Sequence, residues 1–186
     1  MSTAVSVGSV QVLAGVFDNG VLWWGLAACG VAQLSKLGIE LVVHRRWNPR
    51  VLVETGGMPS SHSALLTGTT AAIGWVQGFE GALFALAAVL CFVVLYDASG
   101  VRRAAGLTAA RVNLMGDVAM ASAKPASDSA STQANVPKPL KENLGHTRLE
   151  VLIGALMGPL VALPGLVLLG SPLHLAQGWG WFTAVG

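Results

Sequence analysis

The chain has 186 residues, of which 53% are apolar and only 11% are Asp, Glu, Lys or Arg. Soluble domains carry about 25% charged residues, so the deficit excludes a disordered, nucleic-acid-binding or ordinary cytosolic protein. With a mean hydropathy of +0.63 and a net charge of +2, the composition predicts an all-α integral membrane bundle, one domain over residues 1–186.

Residues 1–11 are a mild Ser/Val/Gly stretch with no basic residue before position 20, so no signal or transit peptide is expected. Val21–Val43 matches the roughly 20 residues of a membrane-crossing helix, with Lys36 and Glu40 late in it. Arg45, Arg46 and Arg50 follow. Ala64–Gln77 and Gly81–Leu95, joined at Gly78-Phe79-Glu80, predict a tight helical hairpin with small residues at the contact. Residues 119–139 are rich in Ala, Ser and Pro, with Met120 and Val136 the only large apolar side chains. Such a segment cannot offset its ordering entropy by burial and is expected to be a flexible loop. Val151–Leu169 is the last of about four spans, with kinks expected at Pro159 and Pro164. Residues 171–186, with Trp179 and Trp181, read as an interfacial segment or a fifth span. Cys29 and Cys91 lie inside apolar runs, without CxxC spacing, and are expected to pack as small hydrophobes.

All eleven Lys and Arg lie between Lys36 and Arg148. Four spans place the block at 45–50 and the block from Arg102 to Arg148 on one side of the membrane. The positive-inside rule makes that side cytoplasmic, or stromal in a plastid, with both termini outside.

Three motifs of chemical interest fall on that side. Gly56-Gly57-Met58-Pro59-Ser60-Ser61-His62-Ser63 opens the second span. Glycines allow close backbone approach, and amides at a helix start favour a phosphate. His62 can exchange a proton near neutral pH. Ser and Pro also begin helices with no function beyond capping. Gly145-His146-Thr147-Arg148-Leu149-Glu150 enters the last span. His146 and Glu150 are four apart and would share a helix face, where the carboxylate could hold Nδ1 and free Nε2 as a nucleophile. An ordinary i,i+4 surface pair has the same spacing. Tyr96-Asp97-Ala98-Ser99-Gly100-Val101-Arg102-Arg103 leaves the third span. Its arginines can grip a phosphate or pair with Asp97, and topology alone also asks for Arg there. Lys36 must snorkel or meet an anion, with Glu40 as a ready partner.

Pro59-Ser60-Ser61-His62 resembles the Pro-Ser-Gly-His signature of the phosphatidic acid phosphatase type 2 and vanadium haloperoxidase superfamily. The run from His146 to Gly154 is similar to its final motif, a His followed four residues later by Asp. Gly57–Ala64, Tyr96-Asp97-Ala98 with Gly100–Arg103, and Leu140-Lys141-Glu142 with Leu144–Thr147 resemble more closely the divergent branch, small bacterial and plastid membrane proteins. The resemblance covers residues 33–158. Val43 stands where the superfamily's first motif has Arg-Pro, Leu140 where Arg precedes the nucleophile, Ser61 for Gly and Glu150 for Asp.

The resemblance implies metal-free phosphate-ester hydrolysis without a cofactor. His146 would attack phosphorus, Glu150 orient it, and His62 protonate the leaving alkoxide. The Ser60 hydroxyl and the Ser60–Ser61 amides would hold the equatorial oxygens. Lys36, Asp97, Arg102, Arg103 and Lys141 complete the expected substrate-binding set. The expected substrate is a lipid-linked phosphate monoester or pyrophosphate, its head in the basic pocket and its tail in the bilayer; no nucleic acid is expected. The alternative is a non-catalytic protein that binds or moves lipid phosphates with the same pocket. A third reading makes metal ligands of His62, His146, Glu150 and Asp97. Gly- and Ala-rich faces suit packing within one chain or in a homo-oligomer equally.

Overall fold

The computed structural model describes residues 12, 14–43, 45, 47–52, 57–122, 138–142 and 144–179, with backbone only for 119–122. The regular elements among them are helical: α1 (Gly20–Val43), a 3-10 turn (Pro49–Leu52), α2 (Ser61–Gln77), α3 (Ala82–Ser99), α4 (Val101–Ser122), α5 (Arg148–Leu169) and α6 (Pro172–Gly178).

Three helices pack as a triad because each carries a stripe of small residues at helical spacing. The buried positions are Gly25, Ala28 and Ala32 on α1, ending in Lys36. On α2 they include Ala64, Gly68 and Ala72. On α5 they are Val151, Gly154, Gly158, Ala162 and Gly165. Steps of three and four residues keep such positions on one face. The stripes meet at Gly68, where an added Cβ would stand 3.0 Å from the Gly158 carbonyl and 3.3 Å from both Ala162 and Ala28. Backbones this close are the contact mode of helices in lipid, where dispersion and shape replace the hydrophobic effect. The large side chains accordingly point outward: Leu34, Leu86, Phe92, Leu156 and Leu160 are exposed, while the buried apolar set is chiefly alanine.

α3 packs on α2 beyond the turn at Gly78, with Phe79 and Phe84 edge-to-face at 5.1 Å. Pro159 and Pro164 both sit inside α5 without ending it. At one end of the bundle, Trp24 Nε1 donates to the Gly170 carbonyl at 2.7 Å and Ser171 donates to Asp18 at 2.6 Å. These bonds hold α6 against the start of α1.

By length and composition, α1, α5 and the run Ala82–Val118 can cross a membrane. The fourth expected span, α2, has 17 residues, about 25 Å at 1.5 Å per residue, and is flanked by α1, α3 and α5. Two further differences concern the basic half of the chain. Residues 101–122, with no predicted element, form α4, which also takes in the first four residues of the expected loop. Residues 123–137 of that loop, Trp181, Gly56 and Arg46 lie outside the described residues.

Candidate active site

The starts of α2 and α5 meet at the end of the bundle opposite α6. Gly57, at φ 78°, takes a left-handed turn that side chains disfavour and leads through Pro59 into the N-cap residue Ser60. The Ser60 hydroxyl accepts from Ser63 N at 3.4 Å and from the Ser63 hydroxyl at 2.9 Å. The Ser60 amide donates to the Glu150 carbonyl at 3.1 Å. Ser60 is fully buried, and Gly154 lies so near that a Cβ there would strike the Ser60 carbonyl.

This narrows one expectation. The Ser60 amide is already bonded to the Glu150 carbonyl, and its buried hydroxyl accepts two bonds as the helix cap. The amides of Ser61 and His62 occupy the first turn, where no intrahelical acceptor exists.

At α5 the arrangement differs. Thr147 is the N-cap: its hydroxyl accepts from Glu150 N at 3.2 Å while the Glu150 carboxylate accepts from Thr147 N at 3.0 Å. The same carboxylate oxygen lies 3.1 Å from His146 Nδ1. His146 therefore precedes the helix. Its pairing with Glu150 arises from a capping box that turns the carboxylate back over the helix start, not from a shared helix face. With Nδ1 engaged, Nε2 is the ring nitrogen available for chemistry. The His146 amide donates to the Ala98 carbonyl at 3.0 Å, just before the helix breaks at Gly100. His146 is thus held at both backbone and ring, and is 7% exposed.

The segment leading to His146 is fastened to α4. Asn113 Nδ2 donates to the Leu140 carbonyl at 2.9 Å and to Glu142 at 2.8 Å, and Asn113 Oδ1 accepts from Leu140 N at 2.9 Å. A side chain at Gly106 would meet the Glu142 and Leu144 carbonyls, and one at Gly145, φ 81°, would run into the Arg103 backbone.

Sequence reasoning missed Asn113, Gly106 and Thr147. Thr147-x-x-Glu150 carries the legible capping-box spacing; Asn113 has no local signal, since its partners are 27 and 29 residues away.

The cations arrange around these two histidines. Lys36 is buried at the end of its small-residue stripe, within electrostatic reach of Glu150. His62 reaches the surface, yet partial burial lowers its pKa below the ordinary imidazole value, and the charges of His146, Lys36 and Arg102 push it the same way. His62, His146, Lys36, Glu150 and Arg102 therefore form one electrostatic neighbourhood. Arg102 Nε pairs with Asp97 at 2.5 Å. Arg103 and Lys141 are exposed, and no hydrogen bond or ion pair among the described residues brings either to His146 or His62.

A family model described as divergent PAP2 matches residues 17–161. The chain belongs to the divergent PAP2 family. It is also similar to the uncharacterized membrane protein YuiD of Bacillus subtilis (strain 168), 37% identical over 149 residues, which cover 80% of this chain and 94% of that one. No solved structure matches it. Together with the apolar helices, these likenesses make this divergent PAP2 protein an integral membrane protein. Among its described residues no three His, Cys, Asp or Glu side chains converge as metal ligands would. The metal reading of His62, His146, Glu150 and Asp97 therefore lacks its geometry.

Proposed function

We propose that the protein is a membrane phosphatase that hydrolyses a lipid-linked phosphate monoester or pyrophosphate through a phosphohistidine intermediate. The observation that carries this reading is His146: buried, held at Nδ1 by Glu150 with Nε2 left over, and sharing an electrostatic neighbourhood with His62, itself influenced by Lys36 and Arg102. Nε2 attacks phosphorus as the bond to the leaving oxygen breaks, and protonated His62 gives its proton to that oxygen. Neutral His62 then takes a proton from water, which attacks the phosphohistidine and releases inorganic phosphate and free His146. Glu150 balances the positive charge that the His146 ring gains. Lys36, Arg102 and the Ser61 and His62 amides neutralise the phosphoryl oxygens, the main demand of such a transfer.

The one-sided distribution of Lys and Arg supports a cytoplasmic site. A site at the end of apolar helices also suits an amphiphile whose phosphate reaches His146 while its tail stays in lipid. The test is to trap phosphoenzyme from phosphorus-labelled phosphatidate, phosphatidylglycerophosphate and polyprenyl phosphate in wild type and His146→Ala. Acid-labile, base-stable label in wild type and none in the variant is the expected result. Saturable binding of these lipids with no label and no phosphate release would establish the non-catalytic alternative.

A further inference from the structure

The helix that holds the His146 segment shows two unlike faces. Its inner face carries Gly106 and Asn113, covered by Leu140, Glu142 and Leu144, beside which Lys138 and Lys141 are exposed. Its outer face exposes Val101, Leu107, Val112, Leu114, Met115 and Val118, each between 48% and 69%. At about 100° per residue these six fill roughly half the circumference opposite Asn113. Arg111 is the one charge among them.

Only Gly100 separates this helix from α3, within a run long and apolar enough to cross a membrane. Gly100 ends α3 and opens α4: its N–H donates to the Tyr96 carbonyl and its carbonyl accepts from Ala104 N, both at 2.9 Å, while its own backbone leaves the helical region. Val89, Val93 and Tyr96 are exposed on α3 before this break, and steps of three and four residues join the exposed Arg103, Leu107, Arg111, Leu114 and Val118 on α4 after it. The 18 residues of α3 rise about 27 Å, close to the roughly 30 Å hydrocarbon core. α4 consequently begins where the bilayer core ends.

We propose that α4 beds its outer face in the headgroup–acyl boundary of the leaflet nearest His146, with Arg103 and Arg111 reaching anionic headgroups. An apolar face of this breadth flanked by arginines has the chemistry of an interfacial helix. Its place directly after α3, whose length matches the hydrocarbon core, and its two exposed arginines favour lipid over a second copy of the chain. The catalytic segment then rests on the water side of a helix anchored in the membrane.

The test uses the full chain with Cys29 and Cys91 replaced by Ala, reconstituted in phosphatidylcholine–phosphatidylglycerol vesicles. Single nitroxide labels are placed at Leu107, Leu114 and Val118, with Val93 as the lipid control and Lys141 as the water control. The Val93 label also reports whether the cysteine replacement has left the bundle inserted. The three α4 labels are expected to collide several-fold more with oxygen than with a water-soluble nickel chelate, as at Val93. Leaving out phosphatidylglycerol should raise their chelate collisions. Chelate collisions equal to those at Lys141 would overturn the proposal. So would labels shielded from both reagents and broadened by spin–spin coupling that vanishes on dilution with unlabelled chain, which would make the face a contact between copies.

Discussion

The helix starts that meet at the site, Ser60 on α2 and Thr147 on α5, are built from similar parts and end in different chemistry. Each has a hydroxyl cap accepting an amide from the first turn. At Ser60 the hydroxyl, the amide and the space around them are all occupied by protein. At Thr147 the reciprocal carboxylate has a second oxygen-to-nitrogen contact, with His146. The difference is that one cap closes on itself and the other extends outward to a ring. A nucleophile can be oriented by the second kind only.

The largest effect that separates the two caps should come from Glu150→Gln. The amide can still accept from Thr147 N, so α5 keeps most of its start, but it cannot balance charge on the His146 ring. Loss of the orienting carboxylate is expected to lower kcat by about 10²- to 10⁴-fold, by the logic of an acid that fixes an imidazole tautomer. Single-turnover assays in detergent would measure it. A variant with near-normal kcat would reduce Glu150 to a capping residue and make the two helix starts equivalent.

A smaller loss is expected on α4. Asn113→Ala removes three hydrogen bonds that fix the segment before His146, so the ring should be reached but less well placed. A fall in kcat of about tenfold with KM little changed is the signature of misplacement, since a displacement of ~1 Å can cost up to 10²-fold. A change confined to KM would assign Asn113 to substrate binding instead.

Capping alone should be smaller still. Ser60→Ala is expected to lower stability by about 1 kcal/mol, the usual worth of an N-cap hydroxyl, and to leave kcat within a few-fold. Unfolding midpoints and turnover on the same samples separate these outcomes. A drop in kcat of two orders of magnitude with unchanged stability would return Ser60 to the phosphate.

These contrasts also mark what a linear sequence discloses. Scarce charge and the gap between Arg50 and Arg102 are one-dimensional facts, and the helical bundle follows from them. Gly- and Ala-rich faces were legible as packing surfaces but their partners were not: small residues expected at the hairpin contact with α3 meet α1 and α5 instead, as at Gly68. His146 and Glu150 were legible as a pair because spacing brings them close in either geometry, though the capping box and not a helix face does so. α4 was not legible: its mixture of Arg, Thr, Asn and Gly reads as polar until Leu140, Glu142 and Leu144 cover one side of it. Asn113 shares that obscurity, because its partners lie beyond the Ala/Ser/Pro stretch.

The smallest expected effect concerns protons. His62 is to act as an acid, so kcat/KM should fall as pH rises through its pKa in the free enzyme. Burial, then His146, Lys36 and Arg102, hold that pKa below the ordinary imidazole value, so the descending limb should lie on the acid side of it. Arg102→Gln removes one cation. The His62 pKa should rise, and the limb should move toward higher pH even while weaker phosphate binding lowers the whole curve. Because the limb's position is independent of the curve's height, lost affinity cannot imitate the shift. Full pH profiles of wild type and variant would decide it: a limb that stays in place, or moves to lower pH, would remove His62 from the proton transfer and leave Arg102 a binding role only.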